Sequence, residues 1–177
     1  NTSLAGLDAA VADGSLLNVR ESDDLLVVNA VARGGQLFIA TEGALQVAGA
    51  VADASVGSGG QITLSSGSDM RVAGVRALSG AVRLTSGGRL VLEEVRAGLI
   101  TAQAKAEVEV YSAVATGAIS ITSTEGGIRR GGTGMVNLEA PVLSLRAATG
   151  MGREGAPLQL ATVDFTALST NGDVRLS

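Results

Sequence analysis

The sequence lacks cysteine, histidine and tryptophan altogether and contains a single lysine among its 177 residues. Without cysteine, the chain has no disulfide, no thiol nucleophile and no thiolate metal ligand. Without histidine as well, a metal site or a nucleophilic triad would have to be built from Asp, Glu, Lys and Ser alone. We therefore predict no catalytic residue, no metal ligand, no cofactor-binding residue and no cofactor.

Long apolar runs and clusters of positive charge are also missing. No stretch approaches the roughly 18 consecutive apolar residues that span a bilayer, so membrane insertion is not expected. The net charge is −4 and the arginines are scattered, which leaves no basic stripe for a nucleic-acid backbone. We expect neither a membrane nor a nucleic acid as partner.

Aromatic residues make up only 2% of the chain, although 46% of it is apolar. Irregular globular cores normally use aromatic side chains to fill their volume. A core made of identical stacked layers can instead be filled with Ala, Val, Leu and Ile. Together with 25 glycines and only two prolines, this composition favours a regular β architecture with many tight corners.

One sequence pattern occurs twice between residues 59 and 98. The run GQITLSSG, starting at Gly60, is followed by MRV and GVRA, and the run GAVRLTSG, starting at Gly80, is followed by LVL and EVRA. Each unit contains three short stretches with an apolar residue at every second position, separated by Gly, Ser or Asp. A repeat of about 20 residues with this alternation is typical of a solenoid.

The same pattern extends along most of the chain. The predicted first strands of successive units contain Leu37, Ile62, Val82, Ile100, Ile119 and Val136. The predicted second strands contain Leu45, Met70, Leu90, Val108, Ile128 and Leu143. We predict an all-β chain forming a right-handed parallel β-helix, or β-solenoid, of about 8–9 rungs of roughly 20 residues. Residues 1–177 form one domain, in which 1–33 are irregular or first rungs and 34–177 are clear repeats.

Two segments fit the repeat less directly. Leu4, Leu7 and Val11 have helix-like spacing, whereas residues 16–19 and 25–28 alternate as strands do.

The segment 99–117 is rich in alanine, which favours a helix by propensity. However, Ala102 to Val110 alternate with charged and amide residues, and this period of two predicts a strand with a locally narrower core. Residues 54–59 are predicted to form a turn, and residues 131–134 a corner or a small loop.

The alternation also predicts which side chains face the core. Ile62, Leu64, Met70 and Val72 are expected to stack on Val82, Leu84, Leu90 and Leu92 respectively. The outward side chains then form a first-strand ladder of Phe38, Thr63, Arg83, Thr101, Ser120 and Asn137. A second-strand ladder contains Arg71, Val91, Glu109 and Arg129, in which we expect an ion pair between Glu109 and Arg129. The mixed first-strand ladder argues against an aligned threonine or aromatic array for binding ice or glycans.

Paired carboxylates and glycine clusters are the remaining candidates for chemistry. Asp23–Asp24 and Glu93–Glu94 could act as general acid and base only if they faced each other across a bond, and we interpret both pairs as solvated corners. Gly57–Gly60 and Gly131–Gly134 lack the lysine and the following helix of a phosphate loop, so we interpret them as corners too. The nonapeptide calcium repeat is absent.

Three units resemble the repeats of filamentous-haemagglutinin-type exoproteins and related giant bacterial surface adhesins: GGQITLSSGSDMRVAG, SGAVRLTSGGRLVLEEVRAG and TGAISITSTEGGIRRGG. The tail from Gly150 is similar to a segment of such proteins, and the resemblance covers about residues 34–177. It implies a secreted, rod-like shaft, exported by a two-partner or similar route, that projects an adhesive region from the bacterial cell surface.

The resemblance implies a non-catalytic structural or adhesive segment at the outer membrane. Its expected partners are neighbouring β-helix segments of the same chain and glycans or proteins on host or neighbouring cells. The alternative is a carbohydrate-active or glycan-binding β-helix domain. Because the sequence starts at Asn1 without a signal-peptide pattern and stops within a predicted strand, we expect it to be a segment of a longer protein.

Overall fold

The computed structural model describes residues 6–52, 59–134 and 136–177. In these ranges all regular structure is β-strand, in one 18-stranded sheet whose strand pairings are all parallel. The strands are β1 (Gly6–Ala10), β2 (Leu16–Glu21), β3 (Leu25–Val31), β4 (Gln36–Thr41), β5 (Leu45–Val47), β6 (Ala50–Val51), β7 (Gln61–Ser66), β8 (Met70–Val72), β9 (Val75–Ser86), β10 (Leu90–Leu92), β11 (Val95–Ala104), β12 (Val108–Val110), β13 (Ala113–Ser123), β14 (Ile128–Arg130), β15 (Leu138–Glu139), β16 (Val142–Ala147), β17 (Leu160–Ala161) and β18 (Asp164–Ser169). The prediction of an all-β parallel solenoid is confirmed, with about eight turns.

Each coil contributes to three ladders of paired strands. The first ladder joins in register Leu17, Leu37, Ile62, Val82, Ile100, Ile119, Leu143 and Phe165. The second joins Leu25, Leu45, Met70, Leu90, Val108, Ile128, Met151 and Val174. The third joins Ala30, Ala50, Val75, Val95, Ala113, Leu138 and Leu160. Because the side-chain period of a strand is two, this register fixes one inward set along the whole solenoid.

The core is a continuous stack of aliphatic side chains. The coil of residues 81–97 shows the standard content: its inward aliphatic residues are at most 1% exposed and are Val82, Leu84, Leu90, Leu92, Val95 and Ala97. Burying each of the larger ones contributes roughly 1.5–3 kcal/mol. The predicted stacking of Ile62 on Val82 and of Met70 on Leu90 is confirmed.

Glycines form a ladder of their own at the corner between the third and first strands. A Cβ on Gly80 would overlap the carbonyl oxygen of Gly60, and Gly98 and Gly117 continue the stack on the carbonyl oxygens of the glycines before them. The backbones of successive coils therefore approach too closely for any other residue at Gly80. These glycines are structural corners.

Buried hydroxyls close the next corner, at the end of the first-ladder strands. Thr41, Ser66, Ser86 and Ser123 are all at most 6% exposed. Ser86 Oγ donates to the carbonyl oxygens of Ser68 (2.8 Å) and Arg89 (3.0 Å), and Ser123 Oγ donates to that of Ala106 (2.6 Å). Each hydroxyl thus adds a hydrogen bond to the corner backbone; the carbonyl oxygens of Ser68 and Arg89 also accept from the backbone N–H groups of Gly88 and Met70.

The two less regular segments also form strands. Leu7 lies in β1, which pairs with β3, so the described part of residues 1–33 consists of first rungs rather than a helix; Leu4 lies outside the described residues. Residues 95–104 and 108–110 form strands as predicted, but a corner at 105–107 separates them. The predicted turn at 54–59 lies outside the described residues except for Gly59.

The predicted register is wrong after Ile128. Leu143 pairs with Ile119 in the first ladder, not the second, and Leu138 pairs with Ala113 in the third ladder. Val136 opens no first strand, because it lies 40% exposed in a loop that separates the second and third strands of this coil. This corner contains more residues than the corresponding corners of the earlier coils. A prediction that assumes equal spacing along the sequence therefore assigns each later strand to the wrong ladder.

Inward side chains become exposed at the two ends of the described solenoid. Phe165 occupies an inward row, yet it is 51% exposed because no strand pairs beyond β18. Leu17 at the other end is partly buried. The described part of the chain contains no helix long and apolar enough to cross a membrane.

Candidate functional surfaces

The predicted carboxylate pairs lie at corners and bind groups of the protein itself. Asp24 Oδ1 accepts a hydrogen bond from the backbone N–H of Ala44 at 2.7 Å. Glu93 forms an ion pair with Arg71, and Glu94 pairs with Arg96 at 3.3 Å. None of these contacts sets two carboxyls across a bond, and the described ranges contain no group of three or more residues suited to hold a metal ion.

The two glycine clusters that were interpreted as corners have structural roles in the described residues. Gly59 and Gly60 lie so close to the backbones of Ser79 and Ala52 that a Cβ at either position would overlap them. Gly131 and Gly132 lie under the ring of Tyr111. Gly57 falls outside the described residues.

The outer surface of the second ladder is charged, and its charges neutralise one another. Arg71, Arg89, Arg129, Arg153 and Arg175 all contact a carboxylate.

The expected pair of Glu109 with Arg129 does not form. Instead Arg89 binds Glu109, and Arg129 Nε lies 3.3 Å from Glu107 Oε2. Long side chains reach diagonally across the coils, so the residue directly opposite is not the partner.

Shallow hollows lie on these outer surfaces. Two of about 150 Å³ flank Gln46, one lined by Leu26 and Glu93 and the other by Asp69 and Arg89. A wider groove of about 540 Å³ crosses the corner between the third and first ladders, and its lining is Val114, Ala115, Thr116, Glu139, Ala140, Pro141, Ala161, Thr162 and Val163. With one ionisable side chain, Glu139, that groove offers no pair of acid and base.

The corner between the second and third ladders widens near the end of the described chain. Two residues separate Leu92 from Val95 at this corner, whereas seven residues, 131–137, separate Arg130 from Leu138. In the following coil, residues 152–157 form a small turn closed by the paired Arg153 and Ala156.

A buried amide holds this widened corner. Asn137 is 1% exposed, so its predicted place in an outward ladder is wrong. Its Nδ2 donates to the carbonyl oxygens of Val110 (3.1 Å) and Tyr111 (3.2 Å), and its Oδ1 accepts from the Gln159 N–H (3.1 Å). Asn137 therefore ties together three successive coils.

The ring of Tyr111 covers the start of the loop. Its side chain fills the space above Gly131 and Gly132, and the residue remains 38% exposed. The negative charge of Glu109 raises the pKa of the Tyr111 hydroxyl above its ordinary value, aided by a hydrogen bond to the same carboxylate. The ring is thus a neutral contact at ordinary pH.

The outer surface of the first ladder has a different character. Its outward residues in the coils from Leu16 to Arg146 are Leu16, Asn18, Arg20, Gln36, Phe38, Ala40, Gln61, Thr63, Ser65, Ala81, Arg83, Thr85, Leu99, Thr101, Gln103, Ala118, Ser120, Thr122, Val142, Ser144 and Arg146. No carboxylate is among them. The Arg20 guanidinium lies 5.4 Å from the centre of the Phe38 ring, and within the described ranges neither Arg83 nor Arg146 pairs with an acid.

The sequence interpretation missed the buried hydroxyls, the Asn137 clamp and this carboxylate-free surface. The hydroxyls had a signal, because Ser66, Ser86 and Ser123 each end a first-ladder strand at an inward position. No sequence feature indicated that Asn137 is buried, because its burial depends on a loop whose length was not predicted. The surface could be recognised only once the outward row from Thr63 to Ser144 was correctly assigned.

Comparison with known proteins identifies no relative. No family model matches the chain, and neither a curated protein nor a solved structure is significantly similar to it.

Proposed function

We propose that this chain is a structural and adhesive shaft segment of a large secreted bacterial surface protein, of the filamentous-haemagglutinin type. The observation that carries the proposal is a single aliphatic core that continues through about eight turns. A stack of this kind contacts only its neighbours along one axis, so it lengthens by adding coils. A shaft that carries an adhesive region away from the outer membrane needs this property.

The dimensions support a rod. Neighbouring strands lie about 4.8 Å apart, so about eight turns span roughly 40 Å along the axis. Each further coil would add the same length without widening the molecule. Non-catalytic extension is therefore the use that this geometry serves best.

Neighbouring solenoid segments of the same protein are the first partners we propose. The exposed inward side chain of Phe165 and the partly buried Leu17 are surfaces that another coil would cover. Glycans or proteins on host or neighbouring cells would be the second class of partner, reached by the outer surfaces.

Electron microscopy of the full-length protein tests the shaft. We expect a thin rod of uniform width in which this segment occupies roughly 40 Å of the length. Compact globular particles would contradict the proposal.

A glycan-binding β-helix is the second candidate, and the outer surface of the first ladder, which has no carboxylate in the coils from Leu16 to Arg146, favours it. A carbohydrate-active enzyme would need clustered carboxylates along an outer groove. Turnover of a uronate polymer by the purified chain would establish that enzymatic alternative, whereas binding without turnover would favour the glycan-binding candidate.

A further inference from the structure

We propose that the outer surface of the first ladder binds a polyuronate, a polysaccharide with a carboxylate on each sugar. This inference rests on the glycan-binding candidate and is independent of whether the chain is a shaft. Its basis is the contrast between two surfaces of one solenoid. On the second ladder, Arg71, Arg89, Arg129 and Arg175 each contact a carboxylate and only Arg130, whose guanidinium binds the carbonyl oxygen of Gly134, does not, whereas Arg83 and Arg146 on the first ladder have no acidic partner in the described ranges.

The unneutralised arginines form a line along the solenoid. Arg20 and Arg146 share one outward row, and Arg83 lies in the adjacent row, midway between them along the axis. Each step from one arginine to the next crosses three coils, or about 14 Å. In a protein of net charge −4, a line of arginines without carboxylate partners attracts an extended anion to this surface.

The residues around Arg83 suit a hydroxylated ligand. Thr63 and Thr101 lie beside it in the same outward row, one coil to each side, and Thr85 lies two residues along its own strand. All of them point outward. A guanidinium binds a carboxylate through two parallel hydrogen bonds, and the surrounding hydroxyls can donate to or accept from sugar hydroxyls. A uronate residue supplies both groups.

The surface suits a polysaccharide better than a nucleic acid. Single-stranded nucleic acids stack their bases on aromatic side chains, and Phe38 is the only aromatic residue in these rows, where Arg20 already lies over its ring. Duplex DNA carries about one charge per 1.7 Å of its axis, far more densely than arginines about 14 Å apart can match. A chain with a carboxylate on every sugar presents one to each arginine without a fixed spacing.

The test measures binding of the purified chain to alginate and to its neutral propylene glycol ester, by affinity electrophoresis. We expect alginate, but not the ester, to retard the protein, and we expect rising salt to weaken the effect because the contacts are exposed. No retardation by alginate, or equal retardation by the ester, would overturn the proposal.

Matched variants localise the binding. The double variant Arg83→Gln/Arg146→Gln should weaken binding at least tenfold. Two control changes remove the same charge elsewhere: Arg71→Gln on the second ladder and Arg96→Gln, whose partner is Glu94. Arg71→Gln/Arg96→Gln should change binding less than twofold, and an equal loss in both double variants would show that net charge, not this surface, attracts the polymer.

Two further measurements separate hydroxyl contacts from charge, and a polysaccharide from a nucleic acid. Thr101→Val keeps the shape of the side chain but removes its hydroxyl, and it should weaken alginate binding about twofold to fivefold while the unfolding midpoint is unchanged. Duplex DNA serves as the competing polyanion, and binding as tight as that of alginate would overturn the assignment to a polysaccharide. A rod seen by microscopy without alginate binding would refute this inference and leave the shaft intact.

Discussion

The coils of residues 61–115 and those of residues 118–177 share the same ladders but differ at their corners. In the first group, two residues separate Leu92 from Val95, and Gly80 and Gly98 hold the next corner closed. In the second group, residues 131–137 enter one corner, and Pro141 stands after the last glycine of the ladder. Nevertheless, Ile119 pairs with Leu143 in register.

This difference shows which parts of a coil are interchangeable. Ladder strands must keep their register, because a shift of one residue would turn every inward side chain outward. Corners can lengthen, because an added loop projects away from the core. Insertions on one side of consecutive repeats often form the binding face of repeat proteins, and here they bring Tyr111, Arg130 and Asn137 together.

Charging the core should have the largest effect, and the effect should depend on the coil. Leu84→Asp and Leu92→Asp place a carboxylate at positions that are at most 1% exposed, so we expect at least about 4 kcal/mol of destabilisation and loss of folding. Phe165→Asp, in an inward row but 51% exposed, should cost less than half as much in urea unfolding. Arg83→Ser is the outward control and should be tolerated; equal effects at Leu84 and Arg83 would refute the inward assignment.

The next largest effect is expected from adding one methyl group at a corner, and the loss of stability should differ between the two groups of coils. Gly80→Ala forces a Cβ into the carbonyl oxygen of Gly60, and we expect it to destabilise by more than about 2 kcal/mol. Gly155→Ala, in the turn of residues 152–157, meets nothing within 4 Å and suffers only the strain of a φ of +71°. About 1 kcal/mol is expected there. Thermal unfolding of both variants would decide, and a larger loss at Gly155 would contradict the glycine ladder.

Removing the side-chain hydrogen bonds of Asn137 should destabilise only the widened corner between the second and third ladders. Asn137→Ala removes the side-chain partner of the Tyr111 carbonyl and the Gln159 N–H and one of the two donors to the Val110 carbonyl, so we expect a loss of about 1–3 kcal/mol and faster amide exchange nearby. Gln159→Ala keeps the backbone N–H that Asn137 accepts and should change stability by less than about 0.5 kcal/mol. If amide exchange of β7 and β9 accelerated equally in Asn137→Ala, the corner would not be an independent unit.

The smallest expected effect is a change in the pKa of Tyr111, and no other side chain interferes with its measurement. It is the only tyrosine in a chain without tryptophan, so ultraviolet absorbance reports its ionisation alone. We expect a pKa above the usual value of about 10, returned toward normal by Glu109→Gln.

The sign of the corresponding stability effect follows from the raised pKa. A pKa raised in the folded state favours the neutral phenol, so its contribution is present below about pH 10 and is lost as the pH rises through the raised value. An unchanged pKa in Glu109→Gln would rule out the carboxylate as the cause.

Sequence alone predicts the solenoid because its information is local and repeated. The alternation around Ile62 and Val82 identifies strands, and the spacing of about 20 residues gives the coil. Strands within residues 99–117 were correctly predicted against helix propensity, because a period of two indicates that every second side chain is buried, although a corner at 105–107 interrupts the alternation between Ala102 and Val110.

What the sequence could not predict depends on relations between coils. The ladder position of Leu143 depends on the length of the loop before it, and the partner of Glu109 depends on diagonal reach. The carboxylate-free surface emerges only when outward residues from many coils are aligned. Corner length and side-chain reach are three-dimensional properties that a one-dimensional period does not encode.

Removing one coil tests the central claim that the coils of residues 61–115 are interchangeable layers of a single stack. Deletion of residues 82–99 joins Ala81 to Ile100, which already pairs in register with Val82 and Ile119. We predict a β-sheet protein with cooperative urea unfolding and a slightly lower midpoint. Deletion of residues 83–99 removes one residue fewer, reverses the inward and outward faces at the junction, and should abolish cooperative unfolding. Indistinguishable unfolding of the two variants, or failure of the in-register deletion to fold, would contradict the account.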